Sequence, residues 1–288
     1  ARAGRSPPPR PPTPGGVPPT KPSDFFATHP VFRLEEFAEA HRADNPKSTQ
    51  AILQYHLRKG QLIRVRRGVY ARELGVDPCL IGSRLASDAV LAYDGALAFH
   101  ALQTAEGDIS YLTVERPPRL RFADVTYRPV VPTKAVRNLP DWGGEIRQSH
   151  LQGQALRVTS PERTLVDLLD RLDLSEGGCD LWDAFRRCDL EPARMVDYAA
   201  RLKNRLTAGR LGYFLEHRGA HDSLLRRLEK LAPRSPCYFD KRARQHRDAF
   251  FRRWNLVVPF ELWTYVRESE AAPRDLLARI LRPARPSP

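Results

Sequence analysis

The residues best suited to a chemical task are basic and lie in one short stretch. Residues 46–72 contain seven lysines and arginines and no acidic residue. The whole chain of 288 residues has 47 Lys and Arg against 34 Asp and Glu, a formal net charge of +13. Cationic side chains with no carboxylate among them attract polyanions such as nucleic acid. The stretch therefore predicts a polyanion-binding surface, whereas a merely solvated surface run would carry charges of both signs.

Sequence patterns in and before this stretch predict the elements that would position its cations. Apolar residues recur at helical spacing over 34–41 and again over 47–59, and Gly60 marks the end of the second helix. Residues 62–71 predict a β-hairpin that turns at 66–68. Helix, break, helix, glycine and hairpin occur in the order of a winged helix-turn-helix.

The second helix and the hairpin supply the predicted DNA-contacting side chains. On a helical wheel, Leu53 and Leu57 fall on one face and the polar residues fall on the other, whereas His56 falls at the core edge. A glutamine can pair with adenine and an arginine with guanine, and the hairpin arginines can reach phosphates or a minor groove. The predicted contacts are Lys47, Ser48, Gln54, Tyr55, Arg58, Arg64, Arg66 and Arg67.

The segment Leu53 to Ala71 closely resembles the N-terminal domain of AbiEi-type antitoxins, through Gly60, the Arg64-Val65-Arg66-Arg67-Gly68 run and Val69-Tyr70-Ala71. Residues 159–169 are similar to a helix opening in the C-terminal part of that family. The resemblance implies a winged-helix transcriptional regulator of a type IV toxin–antitoxin system. Such a regulator would bind inverted repeats of double-stranded DNA in its own promoter, repress the operon and oppose a nucleotidyltransferase-like toxin.

A second basic stretch spans residues 226–253, in which ten basic residues accompany three acidic ones. Cations interleaved with aromatic residues can bind nucleic acid, although these aromatic residues also have the spacing of a helical core. A nucleic-acid site and a site for an acidic partner protein therefore both stay open. The residues of this predicted patch are Arg226, Arg227, Lys230, Lys241, Arg242, Arg244, Arg247, Arg252 and Arg253.

The pattern along the chain predicts an α+β fold with two domains. Residues 1–22 are rich in proline and predict a disordered tail. A winged helix over 23–75 and a larger mixed domain over 79–272 would follow, with a flexible tail over 273–288. In the larger domain we expect a helix over 81–102, strands over 109–114, 121–131, 145–150 and 155–158, and then helices. The first of those helices would be capped by Ser160 and begin at Pro161.

Residue spacings that would indicate catalysis or a cofactor are scarce. His217 and His221 have the i, i+4 spacing of a metal pair, but Gly219 interrupts the helix and no glutamate lies between them. No phosphate-binding loop or nucleophile elbow is present, and the four cysteines have no Cys-x-x-Cys pair. These patterns predict neither an enzyme, a metal nor a cofactor, and the isolated cysteines are typical of a reduced cytoplasm. No apolar run predicts a membrane span.

We therefore predict a sequence-specific DNA-binding transcriptional regulator, an autorepressing antitoxin. Two alternatives stay open. One is a nucleic-acid-processing enzyme that the winged helix brings to its substrate, and the other is an antitoxin that binds its toxin directly.

Overall fold

A computed structural model describes residues 21–41, 46–102, 107–175, 177–241 and 248–271, and at positions 46, 47, 270 and 271 it describes the backbone alone. The fold is mixed α+β, in agreement with the predicted class. Contacts within the chain separate two compact units, Ala1–Leu74 and Gly75–Pro288. The tails predicted over 1–22 and 273–288 lie outside the described residues, apart from positions 21 and 22.

The first unit packs three helices on a small antiparallel sheet with the strand order β1-β3-β2. Its elements are α1 Pro22–Thr28, β1 Val31–Arg33, α2 Leu34–His41, α3 Pro46–Arg58, β2 Ile63–Arg66 and β3 Val69–Ala71. The strand β1 was not predicted from the sequence, because three residues are too few to show an alternating pattern. Residues 42–45, between α2 and α3, lie outside the described residues.

An aromatic cluster forms the core of this unit. The ring of Phe26 stacks on those of Phe32 and Phe37, with centroid distances of 5.4 Å to each. Leu53 brings α3 onto this cluster, and Tyr70 brings β3. Because every element except β2 contributes a ring or a leucine to the cluster, α3 and the sheet share one core.

Glycine allows the sharp turn between α3 and β2. Gly60 has a φ of +67°, in the left-handed region that side-chain-bearing residues seldom adopt. Its N–H donates to the carbonyl of Leu57 at 3.1 Å, and the N–H of Gln61 donates to that of His56 at 3.0 Å. These two bonds form a Schellman motif that ends the helix, which confirms the predicted C-terminal glycine.

The second unit contains a six-stranded mixed sheet with the strand order β6-β7-β5-β4-β9-β8. Strands β5 and β7 run parallel, as do β4 and β9, and the other neighbours are antiparallel. The strands are β4 Val90–Leu91, β5 Asp108–Leu112, β6 Leu120–Phe122, β7 Val125–Val130, β8 Ile146–Leu151 and β9 Gln154–Thr159.

Helices and a three-stranded sheet complete this unit. The helices are α4 Pro78–Arg84, α5 Tyr93–Phe99, α6 Lys134–Arg137, α7 Pro161–Asp170, α8 Gly178–Arg187, α9 Pro192–Leu202, α10 Arg205–His217, α11 Asp222–Leu231 and α12 Phe260–Ala271. The small sheet has the order β10-β12-β11 and is formed by β10 Cys237–Tyr238, β11 Ala249–Phe251 and β12 Leu256–Val258. In the described part of the chain, no helix is long and apolar enough to cross a membrane.

The single helix predicted over 81–102 is wrong. The segment forms α4, the strand β4 and then α5, and β4 pairs with both β5 and β9 in the middle of the sheet. A fully buried apolar run is typical of a central strand and of a buried helix alike, so its periodicity cannot separate them. The strand predicted over 121–131 is likewise two antiparallel strands, β6 and β7.

The helix α7 begins as the sequence predicts. Ser160 is its N-cap and accepts a hydrogen bond from the N–H of Arg163 at 3.2 Å, and Pro161 occupies the first turn. Along this helix, the guanidinium of Arg163 is only 1% exposed and pairs with Asp167 at 3.2 Å. The hydroxyl of Tyr198, on α9, donates to the same carboxylate at 2.6 Å. A buried ion pair within α7 is thus joined to α9 by the hydrogen bond from Tyr198.

Removal of one partner of the Arg163–Asp167 ion pair should destabilise the folded chain. In Asp167→Asn, the charge of Arg163 stays buried without its carboxylate, so we expect the free energy of unfolding to fall by about 3–5 kcal/mol. The exposed pair of Asp197 with Arg227, at 2.6 Å, provides the control. Asp197→Asn should cost less than about 1 kcal/mol. Urea unfolding of both variants measures the difference, and equal losses would contradict a special role for the buried pair.

Asp94 should make stability depend on pH. Burial raises the pKa of its carboxyl from about 3.8 to about 6, although the N–H groups of Gly95 and Ser110 donate to it. Between pH 4 and 6 the folded chain then binds more protons than the unfolded chain, so this group makes folding less favourable as pH rises. Asp94→Asn removes the effect.

The free energy of unfolding of Asp94→Asn, relative to the wild type, should accordingly rise between pH 4 and 7 by on the order of 2–3 kcal/mol. Urea titrations of both proteins across this range measure the difference. A difference that stays constant with pH would show that Asp94 titrates normally.

Candidate nucleic-acid interface

The exposed face of α3 carries the polar residues that the sequence predicted there. Ser48, Gln54, Tyr55 and Arg58 are all exposed, whereas Thr49 and Leu53 on the opposite face are buried. Tyr55 is 57% exposed, which is unusual for a large aromatic side chain. The side chain of Lys47 lies outside the described residues, although its backbone is part of α3. The helix therefore presents amide, phenol, hydroxyl and guanidinium groups on one side.

A cation outside the predicted set lies beside this face. The Nζ of Lys59 lies 5.8 Å from the centroid of the Tyr55 ring, the distance of a cation–π contact. The spacing of the two residues, i and i+4, was the sequence signal that could have revealed it. Lys59 therefore adds a positive charge at the C-terminal end of α3.

His56 has a structural role, as the sequence predicts. Its ring lies edge-on to that of Phe26, with 4.9 Å between centroids. Its Nδ1 lies 2.6 Å from the side-chain oxygen of Gln61, beyond the glycine turn. His56 thus fastens the end of α3 to the first core and to the segment that leads into β2.

The β2–β3 hairpin exposes arginines at its tip. Arg64 and Arg67 are exposed and Arg66 is half-buried. The turn depends on Gly68, whose φ of +82° suits only glycine without strain. The carbonyl of Gly68 accepts a hydrogen bond of 2.8 Å from the N–H of Leu34, the first residue of α2. The hairpin tip is therefore fixed to the start of α2.

Carboxylates are scarce in the sequence around these cations. Positions 46–72 have none, and two on α2 contact Arg33. Glu35 pairs with Arg33 at 3.4 Å, and Glu36 accepts from the backbone N–H of Arg33 at 2.7 Å in a capping arrangement. The segment that contains α3 and the hairpin is thus cationic in sequence, which is the charge that a phosphate-binding surface requires.

The second basic patch has a different electrostatic character. Arg226 pairs with Asp222 and Arg227 with Asp197, both at 2.6 Å. Arg253 contacts three carboxylates, and its hydrogen bonds to Asp222 and Glu216 raise its pKa above the usual range. Three of the predicted cations are therefore offset by acidic neighbours, which are distant in sequence for Arg227 and Arg253 and one helical turn away for Arg226.

The remaining members of that patch are either exposed or outside the described residues. Lys230, Lys241 and Arg252 are exposed, whereas Arg242, Arg244 and Arg247 lie in the range 242–247, outside the described residues. Of the aromatic residues, Trp254 is buried and donates through Nε1 to Glu216 at 2.7 Å, while Phe250 is half exposed. A partner site here remains a prediction.

The two histidines with metal-like spacing do not share a helix. His217 is the last residue of α10, and its ring lies 4.6 Å from that of Tyr213. His221 is the N-cap of α11, where its ring accepts a hydrogen bond from the N–H of Ser223. Among the described residues, no group of three or more His, Cys, Asp or Glu could hold a metal ion.

Comparison with known proteins identifies the first unit. Residues 22–72 match the model of a family described as transcriptional regulator, AbiEi antitoxin. The match confirms the resemblance predicted over residues 53–71 and extends it over α1, β1 and α2, but it ends before the second unit. The similarity predicted over 159–169 lies beyond it. No curated protein matches the chain.

Over most of its length the chain is similar in fold to a solved structure. The crystal structure of RV2827C protein from Mycobacterium tuberculosis aligns with a TM-score of 0.52 over 87% of this chain and 93% of that chain. The two sequences are 18% identical, so the likeness shows a common fold alone.

Exposed arginines at the hairpin tip should control the salt dependence of DNA binding. Replacement of both Arg64 and Arg67 by alanine should weaken binding to any duplex and reduce the slope of log K against log salt concentration by about 2. Fluorescence anisotropy of a labelled duplex over a range of salt concentrations measures this slope. Arg226→Ala, which removes a carboxylate-paired arginine, should leave it unchanged. An unaltered slope in the double variant would exclude phosphate contacts by the tip.

Proposed function

We propose, from the match of residues 22–72 to AbiEi antitoxin regulators, that this chain is a DNA-binding transcriptional regulator whose first unit is a winged helix-turn-helix. In this proposal α2 and α3 are the helix pair and the β2–β3 hairpin is the wing. The observation that carries the proposal is a face of α3 and a hairpin tip that expose cations with no acidic residue between positions 46 and 72.

The recognition helix would be α3. An α-helix fits into the major groove of double-stranded DNA, where the side chains on its exposed face reach the base edges. Gln54 can pair with adenine through its amide and Arg58 with guanine through its guanidinium, whereas Ser48 near the helix start can donate to a phosphate. In this arrangement Tyr55 and Lys59 would line the groove wall. Base contacts by Gln54 and Arg58 would set the preferred sequence.

The wing would supply affinity more than specificity. Arg67 is exposed at the turn of a narrow hairpin and Arg64 on its strand β2, so they can reach a phosphate or enter a minor groove. Each phosphate contact releases condensed counterions, which favours binding to any sequence at low salt. The hydrogen bond from Leu34 to Gly68 would hold the wing at a fixed distance from the helix pair.

The biological role we propose is that of an autorepressing antitoxin of a type IV pair. Its target would be inverted repeats in the promoter of its own operon, and its counterpart would be a nucleotidyltransferase-like toxin. This part of the proposal is supported by the family match over the first unit alone. The second unit would then serve pairing between copies or toxin neutralisation. The proposed location is the cytoplasm.

Gln54 tests the base-reading role of α3. Gln54→Ala should weaken binding to the promoter duplex upstream of its own gene by about 1–3 kcal/mol, and binding to a scrambled duplex very little. Anisotropy titrations with both duplexes provide the comparison, and Gln148→Ala, an exposed glutamine on β8, is the matched control. Equal losses on both duplexes would show that Gln54 reads no base. Equal affinity of the wild type for both duplexes would refute sequence-specific regulation at this promoter.

A further inference from the structure

The second unit contains a cavity that the proposed DNA contacts do not use. It has a volume of about 450 Å³ and opens to solvent. Its lining comes from three places in the sequence: Arg119 before β6, residues 128–131 at the end of β7, and residues 171–174 after α7. The cavity therefore lies where the edge of the six-stranded sheet meets the end of α7.

Arginines dominate the polar lining of this cavity. Arg119, Arg128 and Arg171 face it together with a single carboxylate, that of Asp173. Asp173 accepts two hydrogen bonds from Arg171, from Nε at 2.8 Å and from Nη2 at 2.7 Å. Because a guanidinium carries five N–H groups, this pair leaves donors of Arg171 for another acceptor. The carboxylate thus orients the guanidinium without using all of its donors.

Arg128 is held in a similar way. One of its terminal nitrogens pairs with Asp108, which does not line the cavity. Its Nε is buried and has no hydrogen-bond partner among the described residues. A buried donor without an acceptor is unfavourable, so the guanidinium of Arg128 is held in place at a cost.

The rest of the lining is apolar. Pro129, Val130, Val131 and Leu174 form it, but the polar groups contribute most of the exposed surface of the cavity. Its volume lies in the range of small-molecule pockets, roughly 300–1,000 Å³, and exceeds what a bare phosphate would fill. A suitable ligand therefore has an anionic head and a compact organic body.

We propose that this cavity binds a small organic phosphate of the nucleoside monophosphate type. An anionic phosphate matches the net positive charge of three arginines set against Asp108 and Asp173, and its oxygens can accept paired hydrogen bonds from guanidinium groups. The nucleoside would lie beside the exposed Arg119, whose planar guanidinium can stack on a base. This site is independent of the DNA-binding proposal, because all of its residues belong to the second unit.

The local charge around the cavity supports an anionic ligand. Residues 116–137 include six basic residues and one acidic residue, although the larger segment 76–225 has a net charge of −2. An average over the larger segment hides this basic region. The strand β6 and its approach contribute three of these cations, Arg116, Arg119 and Arg121, which are all exposed.

Isothermal titration of the full-length chain with adenosine 5′-monophosphate tests the proposal. Inorganic phosphate and adenosine are the comparison probes. We expect the monophosphate to bind at least tenfold more tightly than either. Arg119→Gln and Arg171→Gln should each weaken its binding at least tenfold. Arg121→Gln, which removes an exposed arginine two residues away that does not line the cavity, should change it less than twofold.

Several results would overturn the proposal. These are no heat of binding, adenosine or phosphate binding as tightly as the monophosphate, and Arg119→Gln binding like the wild type. The Arg119→Gln variant is the most informative, because an exposed side chain can be replaced without loss of folding. Circular dichroism and the melting temperature check that this variant is folded. The double Arg64→Ala, Arg67→Ala variant should bind the monophosphate normally. A loss there would place the nucleotide on the hairpin instead and would also overturn the proposal.

Discussion

The first unit depends on the pairing of β1 with β3. A two-stranded hairpin alone is only marginally stable, and a third strand gives the sheet a face on which to pack. The register places Phe32 opposite Tyr70, whose rings lie 5.6 Å apart in the aromatic core. Since β1 leads directly into α2, the same strand joins the hairpin to the helices. The relative placement of α3 and the hairpin tip follows from this one pairing.

The same residue type has opposite electrostatic roles in different parts of the chain. On α3 and the hairpin tip, exposed arginines have no carboxylate in their own segment, and their charge remains available to a polyanion. On α11 and near β12, Arg226, Arg227 and Arg253 have carboxylates within hydrogen-bond distance. Arg163 is buried and serves the internal structure of its unit. Arginine content alone therefore does not locate a binding surface.

Elements governed by local rules could be predicted from the sequence, and those governed by long-range contacts could not. The end of α3 at Gly60 and the start of α7 at Ser160 depend on residues within one turn, so both were correct. The strand β4 exists only because β5 and β9 lie on either side of it, and nothing within two residues signals that. The polar face of α3 was predictable because helical periodicity alone exposes it, whereas the pairing of Arg253 with Glu216 requires the fold.

Charge counts need the same distinction between local and long-range effects. The basic block at 46–72 is visible because its cations lie on consecutive elements and the acidic residues are absent from that segment. The cavity arginines are separated by up to 52 positions, from Arg119 to Arg171, and acidic residues lie between them in the sequence. The fold brings these cations together and directs Asp108 and Asp173 to orient them. A concentration of cations that tertiary structure assembles is therefore only partly visible in a sequence window, since residues 116–137 include Arg119 and Arg128 but not Arg171.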